Sequence, residues 1–241
     1  VPRELNPQAL HAYLSFVYVP EPETMFRHIQ ALPAGHLLVW QAGRQTIRAY
    51  THFGDGAYHF QTMGQAIDTI RSVFEDSVQT MLQADVPLGL FLSAGIDSAS
   101  ILAMMVRHSD EKVRTFTIGF GSKERHWDEL GDAEKLAQHF KTDHHSFIVE
   151  PDIIDILPQV VRAFDQPFAN PTALILHLLS GRTREHVKVA LSGTGGDELF
   201  AGYPRYQGMA WFRRYRALPS VARTALATLA RRYWRDASDG R

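Results

Sequence analysis

The residues from Val86 to Met105 constrain this chain more than any other stretch. Val86-Pro87-Leu88-Gly89-Leu90-Phe91-Leu92 is an uncharged apolar run of strand length, the pattern of a strand buried on both faces of a parallel sheet. The polar turn Ser93-Ala94-Gly95-Ile96-Asp97-Ser98 follows. The residues after it are apolar on a helical period, with small side chains where a helix must lie close to a sheet. A strand, a tight Gly-containing turn and a helix start together make an anion site, because the first-turn N–H groups and the positive end of the helix dipole converge on the loop. Ser93 and Ser98 add hydroxyls, Gly95 allows close backbone approach, and Asp97 can hold a divalent cation against phosphate oxygens. Read so, the loop binds pyrophosphate. The blander reading is an ordinary strand-to-helix turn whose Ser and Asp serve only as caps. Neither Gly-x-x-x-x-Gly-Lys-Ser/Thr nor Gly-x-Gly-x-x-Gly occurs in the chain.

A second stretch repeats the design. Val187-Lys188-Val189-Ala190-Leu191 has strand character and runs into Ser192-Gly193-Thr194-Gly195-Gly196-Asp197-Glu198-Leu199-Phe200-Ala201-Gly202-Tyr203, again a Gly-rich, Ser-bearing loop with a carboxylate opening a helix. Two such loops at the carboxyl ends of strands of one sheet can face each other across a cleft. Asp97 and Asp197 would then share a magnesium ion on a nucleotide's phosphates.

These residues carry a family resemblance. Ser93 to Ser98 resembles the pyrophosphate loop of the ATP-pyrophosphatase (PP-loop) superfamily, and Ser192 to Tyr203 resembles the second signature of its asparagine synthetase branch. Thr115-Phe116-Thr117-Ile118-Gly119-Phe120, Asp128-Glu129, Thr142-Asp143-His144-His145 and Asp165-Gln166-Pro167-Phe168-Ala169-Asn170-Pro171-Thr172 match that branch in order and spacing. The resemblance implies a ligase that activates a carboxylate with ATP as an acyl-adenylate, releases pyrophosphate, and lets ammonia or an amine form the amide. It implies ATP and Mg2+ as cofactors, with Asp97 and Asp197 as the catalytic, magnesium-holding carboxylates. Leu92, Ser93, Ala94, Gly95, Ile96, Asp97, Ser98, Ile118, Ser192 and Gly193 would contact ATP or pyrophosphate, with Ile118 near the adenine and Ser192 and Gly193 near the AMP. The implied partners are aspartate or a related acid, and ammonia or an amine delivered from a glutaminase domain; a homodimer is an open option.

Three departures leave the acid and the amine open. Thr194 stands where asparagine synthetases usually carry an acidic residue, and Thr is no base near neutral pH. Gln166 and Asn170 replace carboxylates common in that segment. Two other readings stand beside the ligase: another PP-loop ATP-pyrophosphatase, and a non-catalytic nucleotide-binding module.

Length and composition fit an α/β chain with a sizeable core: 241 residues, 45% hydrophobic, formal net charge −1. Near-zero charge gives no hint of a nucleic-acid partner. No apolar run reaches the ~20 residues that span a bilayer, and no signal peptide opens the chain, so a cytoplasmic location is the default. The absence of cysteine excludes a disulfide framework, Cys-based zinc sites and thiol catalysis in this chain. The chain opens without an initiator Met and reads as a piece of something longer, without the family's glutaminase domain or its later active-site lysine; little synthetase activity is expected of it alone.

The remaining elements follow from periodicity. Residues 1–60 form an entry segment, with helices over Pro7–Val17 and Glu23–Ile29, a strand ending at Trp40, a turn at Ala42-Gly43-Arg44, and a strand over Gln45–Tyr50. Residues 61–241 form an ATP-binding domain truncated at its carboxyl end. It holds helices over Met63–Ala84, Asp128–Phe140, Pro151–Phe164 and Thr172–Arg184, and strands over Val113–Phe120 and Asp143–Glu150. Helices broken at Leu218-Pro219-Ser220 are expected after Trp211. The alternation predicts an α/β fold with a doubly wound, mostly parallel, Rossmann-like sheet flanked by helices, akin to the adenine nucleotide alpha hydrolases. His139, His144 and His145 do not share one face, and Trp211 to Arg216 fits a helix with an aromatic face and solvated arginines, so both are read as structural.

Overall fold

A computed structural model describes residues 2–51, 59–120, 130–149, 153–224 and 226–228. Asp128, Glu129, Glu150, Pro151, Asp152 and the end of the tail lie outside the described residues. The chain divides into two compact units, Val1–Ser192 and Gly193–Arg241.

The first unit opens with α1 (Pro7–Phe16). Asn6 caps it, its side-chain oxygen accepting from the N–H groups of Gln8 and Ala9, while Pro7 needs no partner at the first helical position. Glu23–Ile29, expected as a helix, is not one. The Arg27 N–H donates to the Glu4 carbonyl at 3.1 Å instead of to Glu23, and Thr24 Oγ1 accepts the Phe26 N–H at 3.2 Å while lying 3.1 and 2.7 Å from the Phe26 and Ile29 carbonyls, so the segment closes as a turn. Phe26 instead forms an isolated bridge with Leu5. The hairpin expectation holds: β1 (His36–Gln41) pairs antiparallel with β2 (Arg44–Ala49) through a turn at Ala42-Gly43, with Leu38 opposite Ile47.

The main sheet is built by α2 (Met63–Met81), β3 (Leu88–Phe91), α3 (Ile96–His108), β4 (Arg114–Phe120), α4 (Leu130–Phe140), β5 (Asp143–Val149), α5 (Ile153–Phe164), α6 (Thr172–Thr183) and β6 (Val189–Leu191). Its order is β5-β4-β3-β6, and every pairing is parallel. Both faces are covered, as the apolar run at β3 requires. On one face Leu90 and Leu92 pack with Val78 of α2, Leu102 and Met105 of α3, and Ala133 and Ala137 of α4. On the other, Phe116 packs with Leu179 of α6 and Val187, joined by Phe91, Ile118 and Phe147. Phe116, Leu90 and Leu102 are fully buried, each worth roughly 1.5–3 kcal/mol against exposure. This is the doubly wound parallel α/β fold expected of the sequence.

Gly89 is required where β3 meets β4. A Cβ there would lie 2.5 Å from Cε2 of Phe116 and 3.2 Å from Cγ2 of Val187. The sixth strand is shorter than expected, because the Val187 N–H is bonded to the carbonyl of Thr183, finishing α6 rather than opening the strand.

The second unit contains α7 (Gly196–Phe200) and α8 (Pro204–Ala217). The latter starts well before Trp211, with Pro204 at its first turn, and ends at Leu218 as the break at Leu218-Pro219-Ser220 implied.

Candidate functional site

The sheet order decides where a ligand belongs. From β3 the chain steps outward to β4 and then β5, and it next crosses back to place β6 on the other side of β3. The order therefore reverses between β3 and β6, and in open α/β sheets ligands bind beyond the carboxyl ends of the strands at such a switch point. The residues found there are the Ser93–Ser98 loop, after β3, and Ser192, after β6. A cavity of about 640 Å³ lined by Val86, Leu88, His108, Asp110, Lys112 and Arg114 lies at the amino ends of β3 and β4, the opposite edge.

Leu92 is buried and its N–H donates to the Phe116 carbonyl at 2.8 Å, which extends the β3–β4 pairing by one residue. The loop then turns on a set of internal bonds. The Ser93 N–H donates to Ser98 Oγ at 3.1 Å, the two hydroxyl oxygens lie 3.0 Å apart, and the Gly95 N–H donates to Ser93 Oγ at 3.2 Å. Ser98 Oγ also lies within bonding distance of the Ser93 and Gly95 carbonyls. Ser98 is 3% exposed, so its hydroxyl works inside the loop. A Cβ on Gly95 would meet Ser93 Oγ at 3.2 Å, tight enough to push that side chain aside.

The helix begins earlier than the sequence pattern implies, at Ile96, so Asp97 and Ser98 belong to its first turn. Gly95 is the N-cap and no side chain caps it. A 13-residue helix thus presents its amino end and dipole to the loop without a capping oxygen in the way. Ala94 and Ile96 are exposed, and Asp97 is half-buried. Ile118 is half-buried and packs on the Phe116–Leu179–Val187 cluster. It is a core residue of the sheet face covered by α6, on the strand beside β3.

The second loop leaves β6 at Ser192, which is exposed, as is Thr194. Gly193 begins the other unit. Within that unit Gly195 sits at φ +100°, a left-handed conformation that glycine adopts without strain. Asp197 lies in the first turn of α7, and its carbonyl accepts from the Gly202 N–H at 3.0 Å. Gly202 has no Cβ, and the Asp197 carboxylate occupies the place where one would stand. The Tyr203 hydroxyl donates to Glu198 Oε1 at 2.8 Å, and that bond raises the phenol above its ordinary pKa.

Near the match at residues 142–145, Thr115 Oγ1 lies 2.8 Å from His144 Nδ1 and 2.9 Å from Thr142 Oγ1. Burial pushes the His144 imidazole below its usual pKa, with Glu134 opposing and His145 adding to the shift. Asn170 Oδ1 accepts from the Thr172 N–H at 3.0 Å, so its carboxamide turns the chain into α6. Among the described residues no group of three or more His, Asp and Glu side chains is gathered to hold a metal by itself. Magnesium on a nucleotide takes most of its ligands from phosphate and water, and one or two protein carboxylates complete the set. The half-buried Asp97, beside an uncapped helix amino end, fits such a role.

A parallel sheet that reverses order next to a Ser- and Gly-rich loop defines a doubly wound α/β protein. The asparagine synthase family model matches residues 69–241, and the chain belongs to that family. It is 32% identical over 230 residues to asparagine synthetase (glutamine-hydrolyzing) 1 of Bacillus subtilis (strain 168), covering 94% of this chain and 36% of that protein. It is 34% identical over 233 residues to a putative asparagine synthetase (glutamine-hydrolyzing) of Mycobacterium tuberculosis (strain ATCC 25618 / H37Rv), covering 95% and 35%. The chain spans about a third of the length of these curated relatives. Among solved structures, the NH3-dependent NAD synthetase from Campylobacter jejuni overlaps with a TM-score of 0.38 at 21% identity, over 56% of this chain and 60% of that one. Among the described residues no helix is long and apolar enough to cross a membrane.

Proposed function

We propose that this chain supplies the ATP-binding part of an amide-forming ligase of the asparagine synthetase type. The observation that carries the reading is the Ser93–Ser98 loop and the uncapped amino end of α3 at the switch point beside β3. Family membership supports the reaction class, and names of the relatives support aspartate or a related acid as the carboxylate.

In this reading a carboxylate oxygen attacks the α-phosphorus of ATP, the bond from that phosphorus to the bridging oxygen breaks, and pyrophosphate leaves. The acyl-adenylate then takes ammonia or an amine at its acyl carbon, giving the amide and AMP. Charge grows on the departing pyrophosphate, so donors fixed beforehand at the amino end of α3 stabilise the transition state more than the ground state. The Ser93 side chain and the first-turn N–H groups of α3, from Ile96 to Ser98, hold the pyrophosphate, with Leu92, Gly95 and the Ser98 hydroxyl fixing the loop from inside. Ile118 offers an apolar contact for the adenine, and Ser192 and Gly193 contact the AMP. Asp97 and Asp197 are each proposed as magnesium carboxylates; when bound, the ion neutralises charge on the phosphate oxygens. Thr194 removes a base from the second loop, so the incoming amine is taken to arrive already deprotonated or to lose its proton elsewhere.

Calorimetric titration of ATP with magnesium into the chain, beside Asp97→Ala and Asp197→Ala, tests the reading. Saturable, magnesium-dependent binding lost in the variants is expected. A folded wild-type chain that binds no nucleotide overturns it. Pyrophosphate release across a panel of carboxylic acids then identifies the acid.

A further inference from the structure

Thr117 lies on β4, beneath the loop, and is 4% exposed. Its hydroxyl donates to the carbonyl of Leu92 at 2.6 Å. The other polar atom of that same peptide group is the Ser93 N–H, which donates to Ser98 Oγ at 3.1 Å. A peptide unit is a rigid plane. Fixing its oxygen from the neighbouring strand and its N–H from the next helix leaves it one orientation, and that orientation sets the direction in which Ser93 leaves the strand. Ser93 Oγ in turn receives the Gly95 N–H and lies 3.0 Å from Ser98 Oγ. The Leu92 N–H ties the strand end to Phe116, and the Thr117 hydroxyl is the side chain of the sheet that orients the peptide from which the loop departs.

We propose that Thr117 is a positioning residue for the Ser93–Ser98 loop, holding the Leu92–Ser93 peptide plane so that Ser93 and the amino end of α3 converge on a phosphate group. This rests on the reading of that loop as the pyrophosphate site. Thr117 touches no substrate in this role and acts through Leu92 and Ser93. With valine in its place the Leu92 carbonyl keeps its burial and loses its donor, a situation the peptide can relieve by rotating.

The test uses the full 241-residue chain. Thr117→Val, Thr117→Ser and Thr115→Val are compared by residue-resolved amide hydrogen exchange and by calorimetric titration with ATP·Mg. Thr115 is the control: it is fully buried on the same face of the same strand, and its hydroxyl bonds Thr142 and His144 instead of the loop. In Thr117→Val, exchange at Ser93 is expected to quicken by roughly tenfold more than at Leu102 in the middle of α3, the scale set by leaving one buried acceptor unmatched. The dissociation constant for ATP·Mg is expected to rise by a similar factor. Thr117→Ser restores both values, and Thr115→Val changes neither. Equal acceleration at Ser93 and Leu102, or none, overturns the proposal, since the hydroxyl would then serve only general stability. If exchange at Ser93 responds as expected while the wild-type chain fails to bind ATP·Mg, the anchoring role stands and the nucleotide reading alone falls.

Discussion

Replacing Gly89 with alanine tests how tightly β3 is wedged against β4. The added methyl group would lie 2.5 Å from Cε2 of Phe116, 3.1 Å from its Cδ2, and 3.2 Å from Cγ2 of Val187. None of these atoms has room to retreat. Phe116 is fully buried, with its ring stacked on His145 at a centroid distance of 5.3 Å and on Phe147 at 6.4 Å, and Val187 is 3% exposed. Overpacking of a closed core costs about 1–3 kcal/mol, and a fully buried ring stacked on two aromatic neighbours places this case near the upper end. Alanine recovers about 0.5–1 kcal/mol over glycine in a strand through the unfolded chain. The net loss is about 2 kcal/mol, which for a chain of this size lowers the midpoint of thermal unfolding by roughly 4–8 °C. Differential scanning calorimetry of Gly89→Ala measures it directly. Gly181→Ala in α6, where a Cβ meets nothing within 4 Å, is the matched control, and it is expected to gain about 0.5–1 kcal/mol. A Gly89→Ala protein as stable as wild type would refute the wedge, because Phe116 and Val187 would then have space that the packing denies them.

Other consequences are open to direct measurement. Asn6→Ala removes the cap of α1 and leaves Glu23 Oε2 without its 2.6 Å donor, so denaturant unfolding should show a loss of about 1 kcal/mol. Burial holds the His144 imidazole below its ordinary pKa. Its share of the stability is therefore complete above the unfolded value near 6.5 and falls as pH drops below it, because the unfolded chain takes up the proton first. NMR titration should place its midpoint below that of a free histidine, and a midpoint above 6.5 would contradict the assignment. Gly202→Ala drives a methyl group into the Asp197 carboxylate and, if Asp197 holds magnesium as proposed, should weaken magnesium-dependent ATP binding; wild-type affinity would count against that role for Asp197.

The stretch around β3 was legible because three independent signals coincide there: an uncharged run of strand length, a turn with glycine, and a helical period after it. The hairpin at Ala42-Gly43 was legible for a similar reason. Glu23–Ile29 does not form the expected helix because the Arg27 N–H goes to Glu4 and the Phe26 N–H to the Thr24 hydroxyl, and periodicity cannot register that competition. The start of α3 at Ile96 was missed because the motif reads as one turn, whereas its last residues already have helical backbone. Pro204, at the first turn of α8, is a local start signal that lies seven residues before the aromatic run beginning at Trp211. Thr117 lies within the matched segment Thr115–Phe120, but nothing in the strand pattern sets it apart from its neighbours: a threonine in a strand is ordinary, and its importance comes from the residue across from it. The reversal of strand order between β3 and β6 follows from the doubly wound fold that the alternation of elements implies, whereas the register of that pairing leaves no mark on local pattern.

That reversal also sets a timetable for folding. Leu88 pairs with Val189, so one side of β3 must wait for roughly a hundred intervening residues before its partner exists, a long closure of the kind that slows folding. During synthesis β4 can cover one edge of β3 early, while the other remains an apolar strand with unpaired backbone groups until β6 emerges. Such an edge is a template for pairing with another chain. Any species that stops short of Val189 should therefore aggregate through Leu88–Phe91, and the three residues of β6 act as the seal that ends that exposure.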